Sequence, residues 1–575
     1  MRSAAGLSRF RVAPRWAALA TAVLGAASVD TSTAASLAPV AAEHGMVVTA
    51  HPIATRVGVD VLRQGGNAID AAVAVGYALA VVFPVAGNLG GGGFMTIRLA
   101  DGRTTFIDFR ERAPRAATPA MYLDADGNVV AGLSTKGFLS AGVPGSVAGL
   151  EMARERYGTR RRGALMEPAI RLAEDGFALS RDDAEILEYG AADFRRDPAS
   201  AAIFLDRGTA RAAGSRWRQP DLARTLRRIR DRGTDGFYKG PVAAALAAAF
   251  RAGQGIVTSQ DLADYRARER RPVECDYRGH HVVTAPPPSS GGVTLCEVLG
   301  VLGAYPLHDL GYHSAAAVHV EIEAMRRAYV DRNTYLGDPD FVADPADRLL
   351  SAEHLQSLRA SIDPNRATDS RTLGAGSAPH EGDNTTHYAV VDRWGNAVSV
   401  TTTLNGAFGA RVTAAGTGVL LNDEMDDFTV KPGVPNLYGL VQGEANAIAP
   451  GKRPLSSMTP TIVLRGNSPL LVVGAAGGSR ITTAVAQVIV DVVDYGMNVQ
   501  EAVDAPRLHQ QWLPPATGIE PFALSPDTRR LLEAMGHEFG GPVPTAQVEA
   551  ILVGGAERLY GAGDPRRGAA TALGY

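Results

Sequence analysis

The chain is 575 residues long, enough for several conventional domains or for one large layered fold. Hydrophobic residues make up 46% and charged residues 20%, the balance of a globular chain and not of a disordered or fibrous one. With 57 Lys and Arg against 60 Asp and Glu the net charge is -3, so no excess of cations is available to hold nucleic acid.

The first residues have the three-part layout of a secretory signal: Arg2, Arg9, Arg11 and Arg15, an apolar run from Trp16 to Ala27, then small residues to Ser36. A membrane-spanning helix takes about 20 apolar residues, so this run is too short for a stable anchor. Residues 1–36 are expected to be a cleaved signal peptide, leaving a periplasmic or secreted protein. From His51 to Gln64 apolar residues recur at helical spacing, and Gly65-Gly66 ends the run. Asn67 then caps an Ala-rich helix reaching toward Ala86, where Asp70 and Pro84 argue for burial in a globular protein and against a membrane span. The four glycines 90–93 lack the lysine and hydroxyl residue of a phosphate-binding loop. Phe94–Leu99 and Thr104–Phe109 read as strands joined by a turn at Asp101-Gly102.

Between Pro144 and Ala360 the pattern is mostly helical, broken by a strand at His280–Thr284 and a rigid loop from Pro286 to Gly292. Cys275 and Cys296 are too few for a disulfide framework or a thiolate metal cluster. They make at most one bridge, and reduced, packed thiols are the expectation. No paired-histidine spacing points to a metal. Asp363 to Asn384 has no apolar periodicity and reads as a long exposed loop. Directly after it, Thr385–Val391, a turn at Trp394-Gly395-Asn396 and Ala397–Thr403 form a hairpin pattern.

A threonine between such a loop and a buried strand is well placed for nucleophilic catalysis. Cleavage before Thr385 would free an α-amine beside its own hydroxyl, and that amine titrates at about 7.7 to 8.0, suited to accept the hydroxyl proton. Taken alone, Thr-Thr at a strand start is also an ordinary β-propensity feature. His387 shares a strand face with Thr385 and is expected to be structural.

Wider motifs give the pair its meaning. Thr385-Thr386-His387-Tyr388, Leu421 to Phe428, Arg453 to Met458 and Gly477-Gly478-Ser479-Arg480 resemble the γ-glutamyltransferase (glutathione hydrolase) family of bacterial type. Gly65 to Ala72, the glycine run, Asp108-Phe109-Arg110-Glu111 and the Pro-rich loop agree, so the resemblance covers about residues 45–510. It implies an α+β fold, the αββα four-layer sandwich of N-terminal nucleophile hydrolases. The precursor would cut itself between Asn384 and Thr385 into a large chain, 37–384, and a small chain, 385–575, that stay one folded unit. The implied activity cleaves the γ-glutamyl amide of glutathione or a related compound and passes the glutamyl group to water or to an amino acid or dipeptide acceptor. No cofactor and no metal are implied.

The same resemblance distributes roles. Thr385 would be the nucleophile, Thr403 its hydrogen-bond partner, and Gly477-Gly478 the oxyanion donors, although the preceding Ala475-Ala476 depart from the family's Ser-Pro. Arg110 would hold the substrate α-carboxylate in a planar fork, helped by Ser456 and Ser457. Asp427 would take the α-ammonium, with Asn405 and Glu424. Tyr438, in Pro435–Gly439, would be a lid over the pocket. Two alternatives compete: a cephalosporin acylase that removes glutaryl groups, and an unprocessed paralogue that only binds γ-glutamyl ligands.

Overall fold

The computed structural model describes residues 37–373, 385–542, 546–555, 558–566 and 568–575. The expected signal segment 1–36, Asn384 and the second half of the expected loop lie outside these residues.

Fourteen strands build two seven-stranded antiparallel sheets. Before residue 385 come β1 (Val40–Ala42), β2 (Met46–Thr49), β3 (Gly92–Arg98), β4 (Thr104–Asp108), β5 (Arg268–Arg270), β6 (Val273–Tyr277) and β7 (His280–Thr284). After it come β8 (Thr386–Val391), β9 (Ala397–Thr403), β10 (Thr461–Arg465), β11 (Ser468–Ala476), β12 (Gln547–Val553), β13 (Leu559–Gly563) and β14 (Thr571–Gly574). The first sheet runs β14-β2-β8-β9-β3-β4-β5 and the second β1-β13-β12-β11-β10-β7-β6. Each sheet therefore interleaves strands from both sides of residue 385.

The period-two alternation of the strands explains the layering. From the first sheet, Tyr388, Val390, Val398 and Val400 pack with helices α1 (Pro52–Arg63) and α2 (Ala68–Val82). Their alternates Ala389, Val391 and Ala397 meet Ile462, Leu464 and Val472 of the second sheet. On that sheet's far face, Val463, Leu471 and Val473 join residues of further helices, α4 (Gly291–Leu302), α5 (Ala315–Tyr335) and α6 (Arg480–Val493); α3 (Arg181–Phe194) belongs to the layer of α1 and α2. Helix, sheet, sheet and helix thus stack in the expected αββα order. Asn67 closes a capping box with Asp70 at the start of α2, whose fifteen residues are all buried.

Two local expectations need correction. β5 and β6 are missing from the sequence reading, because they are edge strands whose charged residues hide any alternation. The described first part of the expected loop is mostly exposed, as the sequence implies, and is pinned at two points: Ser370 is fully buried, its carbonyl accepting from Trp512 Nε1 at 2.9 Å, and the Asp363 carbonyl receives His319 Nε2 at 2.8 Å. Finally, Cys275 on β6 and Cys296 on α4 are joined in a disulfide, not held as thiols. Sheet edge and covering helix bring them together across 21 residues of chain, a proximity that spacing alone cannot reveal.

Closing a loop of that length stabilises a fold by roughly 3 kcal/mol. Reduction, or Cys296→Ser, is expected to lower the unfolding free energy by about that amount in chemical denaturation; an unchanged midpoint would show that the bridge constrains nothing.

Candidate active site

Thr385 stands at the start of β8 and is 7% exposed. Thr386 pairs with Thr402 across β8 and β9, so the next position outward sets Thr385 against Thr403. The Thr385 hydroxyl donates to Thr403 Oγ1 at 3.3 Å, and the same oxygen accepts the Asn405 N–H at 2.8 Å. The glycine run packs directly behind this pair: a Cβ on Gly91 would lie 2.1 Å from the Thr403 carbonyl oxygen. His387 is fully buried beside Thr401, at 2.9 Å, and burial pushes its imidazole down to about 3. It stays neutral, in keeping with a structural role.

Arg110 follows β4. The Asp108 carboxylate fixes its backbone by accepting the Arg110 N–H at 3.0 Å, and is itself held by Arg270 at 2.8 Å and Arg453 at 3.0 Å. The Arg110 side chain is fully buried; Nε donates to the Pro454 carbonyl at 3.1 Å, and the two terminal nitrogens pair with Glu424 and Asp427. Burial works against the guanidinium charge, but Glu424, Asp427 and Glu111 hold it above its ordinary value. Burial pushes the Glu111 carboxyl up to about 7 and raises Glu424 as well, with Arg110 opposing both shifts.

One pocket collects Arg110, Thr385, Thr403, Asn405, Glu424, Asp427, Tyr438, Ser456, Ser457 and Gly478. Of the residues singled out in the sequence, Gly477 is not in its lining, and Asn384 lies outside the described residues. Tyr438 is buried, not an exposed loop aromatic, and its hydroxyl donates to the Asn405 carbonyl at 2.7 Å. Gly478 has φ +59, and a Cβ there would meet the Tyr438 ring at 2.2 Å, so only glycine fits. Helix α6 begins at the next turn, aiming the positive end of its dipole at this wall. Asn405 Nδ2 is occupied by the Asp423 carbonyl at 3.0 Å. The space left in the pocket is about 20 Å³, room for roughly one water. A larger ligand therefore needs lining side chains to move on entry.

Sequence reasoning missed Arg332. It lies on α5 within an ordinary helical run, fully buried, and donates to Ser290 Oγ and Ser457 Oγ at 3.1 Å each and to Gln442 Oε1 at 2.9 Å. Burial pushes its guanidinium down to about 10. Two groups elsewhere have metal-ligand character, His319 with Glu323 and His537, and Glu297 with Asp331 and His354. Neither lends a residue to the pocket.

Known proteins resemble this chain along most of its length. The family model described as Gamma-glutamyltranspeptidase matches residues 54–574. The chain is 61% identical over 552 residues to the glutathione hydrolase proenzyme of Pseudomonas sp. (strain A14), covering 94% of this chain and 96% of that one. The crystal structure of Helicobacter pylori gamma-glutamyltranspeptidase is 44% identical at a TM-score of 0.56, covering 57% of this chain and 94% of that one. The cephalosporin acylase of Bacillus halodurans superposes at a TM-score of 0.82 with 27% identity, covering 93% of this chain and 97% of that one.

Arg110→Met would leave Glu424, Asp427 and Glu111 buried without their cation. Breaking such a pair costs about 3 to 5 kcal/mol. A carboxyl raised by the fold favours folding while protonated, and that contribution is lost as pH rises through about 7 for Glu111. Without Arg110 to oppose the shift, the loss of stability in denaturant titrations should be larger at about pH 8 than at about pH 5. Equal losses at both would contradict the charge assignment.

Proposed function

The chain belongs to the gamma-glutamyltranspeptidase family, and from that premise we propose that Thr385 is its nucleophile, freed by a cut between Asn384 and Thr385. The protein is a self-processing γ-glutamyl hydrolase and transferase, made as a proenzyme. The proposed products of processing are a large chain, 37–384, and a small chain, 385–575. What carries the reading is the Thr385–Thr403 hydroxyl pair, 3.3 Å apart, in one pocket with Arg110 and Asp427.

In maturation, Thr385 Oγ attacks the Asn384 carbonyl carbon; the C–N bond breaks as the acyl group shifts to oxygen, which frees the Thr385 amine, and water then hydrolyses the ester to release the Thr385 hydroxyl and the Asn384 carboxylate. In turnover the same oxygen attacks the γ-amide carbon of the donor while the new α-amine takes the hydroxyl proton. Thr403 accepts a hydrogen bond from the attacking group and holds it toward the pocket. The oxyanion develops against the Gly477-Gly478 turn at the head of α6, where backbone N–H groups and the helix dipole oppose negative charge. The amine of the leaving group departs, and water or an acceptor amine resolves the γ-glutamyl ester.

The donor end of glutathione, or of a related γ-glutamyl amide, is a zwitterion. It fits by inserting into an existing ion pair: its α-carboxylate takes the Arg110 fork with Ser456 and Ser457, and its α-ammonium takes Asp427 with Glu424 and Asn405. Tyr438 covers the result. Among the described residues no helix is long and apolar enough to cross a membrane. A periplasmic or secreted location is supported by the leader-like N-terminus and by the Cys275–Cys296 bridge, since disulfides persist in oxidising compartments.

The acylase reading draws on the likeness to the Bacillus halodurans enzyme. A glutaryl group would occupy Arg110 and leave Asp427 and Glu424 desolvated without an ammonium, which disfavours it.

Two outcomes test this function. Purified protein should show two bands on a denaturing gel, the smaller beginning Thr385-Thr386-His387-Tyr388, and Thr385→Ala should remain one band; another N-terminus would reassign the nucleophile. γ-Glutamyl anilides should be cleaved at least about a hundredfold more efficiently than glutaryl anilides, and equal rates would favour the acylase reading.

A further inference from the structure

The helical layer over the second sheet carries a group of ligating side chains that the donor pocket does not use. Glu297 on α4, Asp331 on α5 and His354 on the helix Ala352–Ala360 each bring one ligand atom, and the three atoms lie within 4.8 Å of one another. His354 Nε2 is 2.7 Å from Asp331 Oδ2 and 3.6 Å from Glu297 Oε1. We propose that these three residues bind one zinc ion, which fastens the helix Ala352–Ala360 to α4 and α5.

Glu297 is the side chain that asks for a ligand. It is wholly buried, and among the described residues no hydrogen-bond donor reaches either of its carboxylate oxygens. A buried carboxylate left in that state is costly, and the Asp331 carboxylate faces the same point. Arg348 opposes them only from a distance, since its guanidinium lies over the Tyr335 ring, 4.4 Å from the centroid. A divalent cation answers both carboxylates, where a single proton answers one.

The donor set selects the ion. Two carboxylates and an imidazole suit zinc, which takes oxygen and nitrogen ligands at about 2.0 to 2.2 Å in tetrahedral sites. Ligand atoms so placed are about 3.3 to 3.6 Å apart, so Glu297 is already in reach of His354, and Asp331 needs to draw back by roughly half an ångström. Calcium takes about six to eight oxygens and magnesium an octahedral shell, for which three ligands are too few. Side-chain exposure of 19% at His354 and 11% at Asp331 gives the ion a way in from solvent.

The frame around the site is firm. Ser351 Oγ accepts the His354 N–H at 3.2 Å, Arg359 Nε donates to the Gly300 carbonyl of α4 at 3.1 Å, and a Cβ on Gly300 would meet Leu355 at 2.8 Å. The group of His319, Glu323 and His537 is committed differently. Glu323 pairs with Arg327, stands 3.4 Å from Arg326 and accepts the Thr368 N–H at 3.1 Å. Its charge is met, and two guanidiniums repel a cation there. Ala352–Ala360 is the last α-helix described before residue 385, so the zinc ion holds the chain where it leaves the sandwich toward the proposed cut.

The test uses untagged purified protein, stripped of metal with a chelator and titrated with zinc sulfate. Uptake of one zinc per chain by elemental analysis and a rise of several degrees in the thermal unfolding midpoint are expected. Glu297→Gln keeps the side-chain shape, and His354→Gln changes a partly exposed position; each should weaken zinc binding at least about tenfold in calorimetric titration and remove the midpoint shift. His537→Ala should leave both intact, and magnesium sulfate at the same concentration should give no shift. No zinc uptake by the unmodified protein, uptake undiminished in Glu297→Gln and His354→Gln, or uptake lost in His537→Ala overturns the site. A shift with magnesium equal to that with zinc overturns the choice of ion.

Discussion

The antiparallel ladder between β8 and β9 is the constraint on which the rest depends. It sets Thr385 opposite Thr403 at the end of two buried strands and leaves both hydroxyls facing one pocket. The outer neighbours of this pair are β2 and β3, which precede the proposed cut, while β8 and β9 follow it. The second sheet repeats the device, with β7 and β6 bonded beside β10. A chain broken before Thr385 therefore keeps every ladder, and the hydrophobic layers between sheets hold the halves together. A cut at that point would cost the fold little.

Charge organises the pocket in a second way. Arg110 is buried with Glu424 and Asp427 against it, an arrangement that would be expensive for any lone member. In the proposed donor complex a zwitterionic end would replace each partner with one of like charge, so that binding would exchange ion pairs and create no unpaired ion. Tyr438 closes on Asn405, and Gly478 leaves its ring the space to do so. Arg332, tied to Ser457, adds a second guanidinium to the pocket wall.

Much of this was legible in the chain. The β8–β9 hairpin, the capped Ala-rich helix and the motif blocks gave the layered fold and ten of the residues that line the pocket. What stayed hidden depends on contact between distant segments. Arg332 sits in a helical run with no local mark of its role, and it reaches the pocket only because α5 crosses behind Ser457. The Cys275–Cys296 bridge joins a sheet edge to a covering helix, which residue spacing does not encode. β5 was masked by Arg268, Glu269 and Arg270, charges that suit an edge strand but conceal its alternation. Nor could the sequence show that Arg110 and Asp427, read as receptors for opposite ends of a ligand, face each other directly.

Capturing the acyl-enzyme tests the central claim most directly. Processed enzyme mixed with γ-glutamyl-p-nitroanilide, quenched in acid within the first turnover and digested, should yield one glutamyl-modified peptide, the N-terminal peptide of the small chain, with the added mass on Thr385. A modification on any other residue, or turnover with no covalent intermediate in an enzyme that is fully cleaved, would contradict the account.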